Sequence, residues 1–165
     1  MRSGSGSSSN FGNRATLMVK HDVNPITDWN RKALVKFKLI PNTIVEKSLQ
    51  LRLFVKDLGK AGAPGIKVSS IDNDDWSEND VTWDNLIYDV VATTSTFGLS
   101  QKDIGKWITI NIGSIIRPLI AFESSKETMK VTLLVEKVGK GRAENWVTFH
   151  SSEDVNSPQL VVSKE

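Results

Sequence analysis

Cysteine is absent from this 165-residue chain, so neither disulfides nor thiolate-held metals contribute to its stability. Histidine is almost as scarce. His21 and His150 are the only two, which leaves few candidates for a histidine-based nucleophile triad, and no G-x-S-x-G elbow accompanies them. No phosphate-binding loop or dinucleotide fingerprint occurs. No apolar run approaches the length that spans a bilayer, and no signal peptide is recognisable, so these features assign no compartment. The opening MRSGSGSSS reads as a trimmed or engineered start, and residues 1–13, rich in Gly and Ser, as a flexible segment.

What is present is alternation. Ala33, Val35, Phe37 and Leu39, then Leu49, Leu51, Leu53 and Val55, recur at period two, the signature of half-buried strands. Their opposite faces carry Lys32, Leu34, Lys36 and Lys38, and Gln50, Arg52, Phe54 and Lys56. If the two strands are sheet neighbours, these cations lie about 5 Å apart, an arrangement that destabilises a sheet unless something offsets it. An anionic ligand is one offset. The other reading is that the cations keep the sheet soluble and guard its edges.

Net charge is only +2, yet its distribution is uneven. Residues 14–60 hold ten Lys or Arg against four acids, and residues 72–89 hold seven acids and no base. The acidic run DNDD at 72–75 leaves a calcium ion open, although it lacks the spacing and glycine of an EF-hand loop. The same run would repel a long polyanion on its side, which argues against a nucleic-acid partner. Trp76 and Trp83, among acids and turn formers, read as plugs at a core end, and Trp29 as an exposed aromatic.

Further strands are expected over ATLMVK, IKVSSI, KWITINI with Trp107 outward, Val131 to Val135, Val147 to Phe149 with Trp146 and His150 outward, and QLVVS. One short helix is expected over IIRPLIAFE, capped by Ser114, with Pro118 near its start. Many short strands with turn signals between them indicate an all-β, antiparallel, jelly-roll-like β-sandwich with at most one short helix, in one domain spanning 14–165. Glu136, Glu144 and Glu153 are the carboxylates that could converge as a glycosidase pair, although each is more often a solvated surface acid. Tyr88, His150 and the lysines could serve a polyuronate lyase, but no spacing singles them out, and no catalytic residue is assigned.

The segments SSSNFG, LMVK, RKALVKFKL, LQLRLFV, DDWSENDVTWDN, KWITINI and VTFHSSEDVNSPQLVV, in that order, resemble the DNRLRE domain. This is a secreted bacterial and archaeal β-sandwich related to the carbohydrate-binding modules of family ninety-six. The resemblance runs from about Arg2 to Val162. Its most specific parts are W-S-E-x-x-x-T-W-x-N and F-x-S-x-E-x-x-x-x-P-Q-L. It implies a monomeric, extracellular, non-catalytic module that binds alginate or another polyuronate and holds an appended lyase domain on it, with no cofactor and no membrane or nucleic-acid partner. The chain departs from the family pattern in having Phe37-Lys38 for Phe-Asp and Ser151-Ser152-Glu153 for Ser-Arg-Glu. The family's first strand also begins before the point where this chain starts.

Each uronate carries one carboxylate, which Lys and Arg pair through charge-assisted hydrogen bonds. The expected contacts are therefore Lys36, Arg52, Lys38 and Lys56, with Lys20, Arg31 and Arg142 at the margins, Trp146 as a sugar platform and His150 as a hydrogen-bonding partner. A lyase or hydrolase domain, and a structural or adhesive domain without glycan specificity, are the competing readings.

Overall fold

The computed structural model describes residues 1–22, 29–44, 47–60, 63–123, 126–139 and 144–164. Ten strands follow in chain order: β1 (Thr16–Lys20), β2 (Ala33–Leu39), β3 (Lys47–Leu58), β4 (Gly65–Ile71), β5 (Val90–Thr93), β6 (Phe97–Gly98), β7 (Trp107–Asn111), β8 (Met129–Val138), β9 (Trp146–His150) and β10 (Gln159–Lys164). A helix, α1 (Gly113–Glu123), lies between β7 and β8. The strands form two antiparallel sheets packed face to face. The front sheet has the order β1-β9-β3-β10, with β7 on the other edge of β3; the back sheet has the order β2-β8-β4-β5, with β6 also on β4.

The two alternating runs therefore pair with other strands and not with each other. Alternation states which face of a strand is buried, not which strand lies beside it. Leu49, Leu51, Leu53 and Val55 of the front sheet, all fully buried, and Ala33, Val35 and Leu39 of the back sheet share the interior with Val131, Leu133, Val135, Val147 and Phe149. The outer faces of β2 and β3 consequently look in opposite directions, and the single basic face expected from them does not form.

Helix α1 covers one end of this interior, packing against β3, β4 and β5. Ile112, Ile115, Ile116 and Ile120 are buried, a helical spacing that puts one stripe against the core. The helix starts two residues earlier than a Ser114 cap implies, at Gly113: Asn111 Oδ1 accepts from the Gly113 N–H at 3.0 Å, and the Ile112 carbonyl accepts from Ile115 and Ile116. Pro118 falls in the second turn, where its missing N–H leaves the Ser114 carbonyl without its helical donor.

Residues 1–13 have the composition of a flexible segment, and in the structure they pack along the sandwich. The Met1 ammonium donates to the Lys32 carbonyl at 2.7 Å, Ser3 N–H to the Asn30 carbonyl at 3.0 Å, and Asn10 Nδ2 to the Glu78 and Val81 carbonyls at 2.8 Å.

Candidate functional site

The outer face of the back sheet is covered. Residues 72–89 fold over it, and Ile71, Leu86 and Leu134 form a second small apolar cluster there with Leu34, Trp76, Val81 and Tyr88. Trp76 Nε1 donates to Thr132 Oγ1 at 2.9 Å. Lys36 Nζ donates to the Asp74 carbonyl at 2.7 Å and to the Trp76 carbonyl, and lies 4.2 Å from the centre of the Trp76 ring. Burial, and then the neighbouring Lys130, push its ammonium below the usual lysine range. Lys32 donates to Tyr88 Oη and pairs with Glu136 Oε1, both at 2.9 Å, while Lys67 reaches Glu136 Oε2 at 3.4 Å. Lys36 is thus a tether for the acidic loop, and Glu136 is neutralised by two lysines. Lys38 is exposed on the same face, opposite Lys130. Trp76 and Trp83 lie on this outer face, with Trp83 beside the Lys32 ammonium at 5.1 Å, and not at the end of the main core.

The outer face of the front sheet is open over β7 and the start of β10, where Thr109, Asn111 and Gln159 are exposed, and more covered over β1 and β9, where Lys20 and Thr148 are buried. Phe54 on β3 stands directly opposite Trp107 on β7, and their rings meet edge to face at 5.5 Å. On its other side the Phe54 ring lies 4.8 Å from the His150 ring. Three aromatic rings from β7, β3 and β9 therefore form one row across the sheet. One step along β3, Arg52 lies between Thr109 and Gln159 in register. Its guanidinium sits 4.8 Å from the Trp107 ring centre, and Nη1 donates to Gln159 Oε1 at 3.2 Å. Among the described residues no carboxylate pairs with Arg52. The flanking Thr109, Asn111 and Gln159 side chains are exposed.

Several expected residues share this face. Lys56 is exposed where the β3–β9 register shifts between Val55 and Asp57. Trp146 is half-buried at the start of β9, directly opposite Lys20 on β1. His150 Nδ1 lies 2.7 Å from Asp154 Oδ1. Desolvation opposes ionisation of the Asp154 carboxyl, but the His150 contact together with backbone N–H bonds from Asn156 and Val155 outweighs it and holds this acid below the usual carboxylate range. Lys20 is buried and paired with Asp22 at 2.9 Å. Arg31 stands at the seam between the sheets, bridged to Lys20 on one side and to Arg2 on the other. Arg142 lies outside the described residues.

Phe54, Trp107 and Gln159 were not among the expected contacts. The outward positions of Phe54 and Trp107 are readable from alternation, but their adjacency depends on the β3–β7 register.

No three His, Asp or Glu side chains among the described residues come close enough to hold a metal ion. In the DNDD run, Asp72 Oδ1 accepts from the Asp89 N–H at 2.7 Å and Asn73 Oδ1 from the Asp75 N–H at 3.0 Å, which fixes the loop by its own backbone. No helix among the described residues is long and apolar enough to cross a membrane.

Residues 1–164 match the family model of carbohydrate-binding module family 96. No curated protein matches the chain.

Proposed function

Because the chain belongs to carbohydrate-binding module family 96, a family whose partner is a polysaccharide, we propose that it binds alginate or a related polyuronate on the open face of the front sheet. The observation that carries this reading is Arg52. Its guanidinium lies over Trp107 beside a half-buried aromatic row, and among the described residues no carboxylate satisfies it. A sugar ring laid on the Trp107, Phe54 and His150 row brings its carboxylate to Arg52, whose planar fork pairs a carboxylate in two-pronged fashion. Gln159 and Thr109 flank that position as hydrogen-bonding groups, and Lys56 adds positive charge further along β3.

On this reading the module is a secreted, non-catalytic anchor that holds an appended lyase on its substrate and raises its local concentration there. Lys36 and Lys38 are left out of the proposed surface, since they belong to the opposite face. Exposed ion pairs contribute about 1 kcal/mol or less each, so binding should be modest per site and should weaken in salt.

Native gel electrophoresis with alginate or a neutral β-glucan cast into the gel tests this. Retardation by alginate alone, lost in Arg52→Gln, is the expected result. Equal migration in both gels would reject the reading.

A further inference from the structure

A second unpaired cationic cluster lies at the seam where the edges of the two sheets meet. Arg2 and Arg31 face each other there as a bridge of two antiparallel segments. The flanking bonds, Ser3 N–H to the Asn30 carbonyl at 3.0 Å and Lys32 N–H to the Met1 carbonyl at 3.2 Å, make this the close, non-hydrogen-bonded kind of pair. Side chains of such a pair point to the same side and approach most closely, so like charges there repel. Lys20, the other bridge partner of Arg31, is neutralised by Asp22, but among the described residues no carboxylate pairs with Arg2 or Arg31.

Both arginines line a cleft of about 450 Å³ together with Arg14 and Lys32, with apolar wall from Leu17, Leu34 and Trp76. That volume is within the range of small-ligand sites, about 300–1,000 Å³. The guanidiniums are propped by aromatic rings: Arg2 lies 4.9 Å from the Trp29 ring centre and Arg31 lies 5.9 Å from that of Phe11. Arg2 Nε is buried with no hydrogen-bond partner, a cost that an acceptor in the cleft would remove. Burial first, and then Arg2, hold the Arg31 guanidinium below its ordinary range, which fits an uncompensated cluster. Lys32 is already engaged by Glu136, and the one acid on the cleft wall, Glu78, accepts from Ser152 Oγ at 2.8 Å.

We propose that this cleft is a second binding subsite, in which Arg2, Arg14 and Arg31 take the carboxylate of an acidic sugar, so that one module grips an acidic glycan at two places. The subsite is separate from the front-sheet surface; only the choice of a uronate as its occupant rests on the reading proposed for that surface.

Calorimetric titration with a uronate trisaccharide, in chloride buffer and again with equimolar inorganic sulfate, distinguishes the two sites. The full chain should take up two equivalents. Arg14→Gln/Arg31→Gln should take up one, with an unchanged or raised melting temperature because repulsion is removed. Arg52→Gln/Trp107→Ala should also retain one equivalent. Arg14→Gln alone, an exposed change, should weaken the second equivalent at least threefold, which covers the case in which the double variant misfolds. If Arg52→Gln/Trp107→Ala binds as the unaltered chain does while Arg14→Gln/Arg31→Gln loses binding, the cleft stands and the front-sheet reading falls. Unchanged stoichiometry and affinity in the Arg14 and Arg31 variants would overturn the proposal. So would complete displacement of the second trisaccharide by equimolar sulfate, which would mark an adventitious ion site only.

Discussion

The Lys36 ammonium lies 4.2 Å from the centre of the Trp76 ring and donates to the backbone carbonyls of Asp74 and Trp76. One cation on β2 thereby ties down the loop that roofs the back sheet. Lys36→Met should destabilise the fold by about 1–2 kcal/mol, because it removes two charge-assisted hydrogen bonds and a cation–π contact. Thermal unfolding would show this as a drop of several degrees. Retention on alginate should be unchanged, and a loss of retention in a variant that stays folded would return Lys36 to the binding surface.

Lys32 makes the same loop sensitive to alkali. Burial disfavours its charge, but the hydrogen bonds to Tyr88 and Glu136, together with the charge attraction of both groups, outweigh this and raise its pKa above 10.5. A raised lysine stabilises the fold fully below its unfolded pKa, and this contribution is lost as pH rises through the folded value. Denaturant melts should therefore show stability falling as pH rises beyond 10.5, with a smaller fall in Lys32→Met. Parallel curves for the two proteins would contradict this role.

Trp107 supports both the aromatic row and the Arg52 guanidinium. Trp107→Ala should weaken polyuronate binding about fivefold or more, since losses for stacked aromatics and arginine anchors run to about 1–3 kcal/mol. Arg52→Lys keeps the charge but loses the two-pronged fork, so it should bind between the unaltered chain and Arg52→Gln. Equal affinity in Arg52→Lys and the unaltered chain would mean that charge alone matters there.

Gly59 ends β3 beside the segment that leads into β9. A Cβ there would lie 1.7 Å from the Glu144 carbonyl oxygen and 2.9 Å from the Trp146 nitrogen, both backbone atoms that cannot swing aside. Its own N–H donates to the Trp146 carbonyl at 2.8 Å. Gly59→Ala should cost about 2 kcal/mol or more by forcing the two chains apart. A melting temperature equal to that of the unaltered chain would show that the 144–146 segment can shift at little cost.

The strands that alternate were readable in advance because burying one face is a local requirement that each run meets by itself. β2 and β3 are both where the period placed them, and the core residues of each are inward. Their separation into opposite sheets was not readable, since Leu49 to Val55 satisfies the same pattern whether it lies beside Ala33 to Leu39 or across the core from it. β5 was missed for the complementary reason: Val90 and Val91 are both exposed, so the segment has no alternation to read.

The candidate site follows the same division. Lys36 and Arg52 look alike as outward cations at strand spacing, yet one is spent on a loop and the other is not, a difference set by what covers each sheet. The Arg2–Arg31 bridge joins segments far apart in the chain, one of them in a stretch whose composition suggested no structure. Conversely, the polarity between residues 14–60 and 72–89 was visible from the start. Part of it is satisfied inside the molecule, where Lys36 meets the acidic loop.

Titration calorimetry of the chain with alginate oligosaccharides, beside a neutral β-glucan and at low and high salt, addresses the central claim most directly. Saturable binding to alginate alone, weaker as salt rises and strongly reduced in Arg52→Gln/Trp107→Ala, is the predicted result. Binding to both glycans with no salt dependence, or to neither, would contradict an acidic-glycan surface on the front sheet and make a structural or adhesive role the better account.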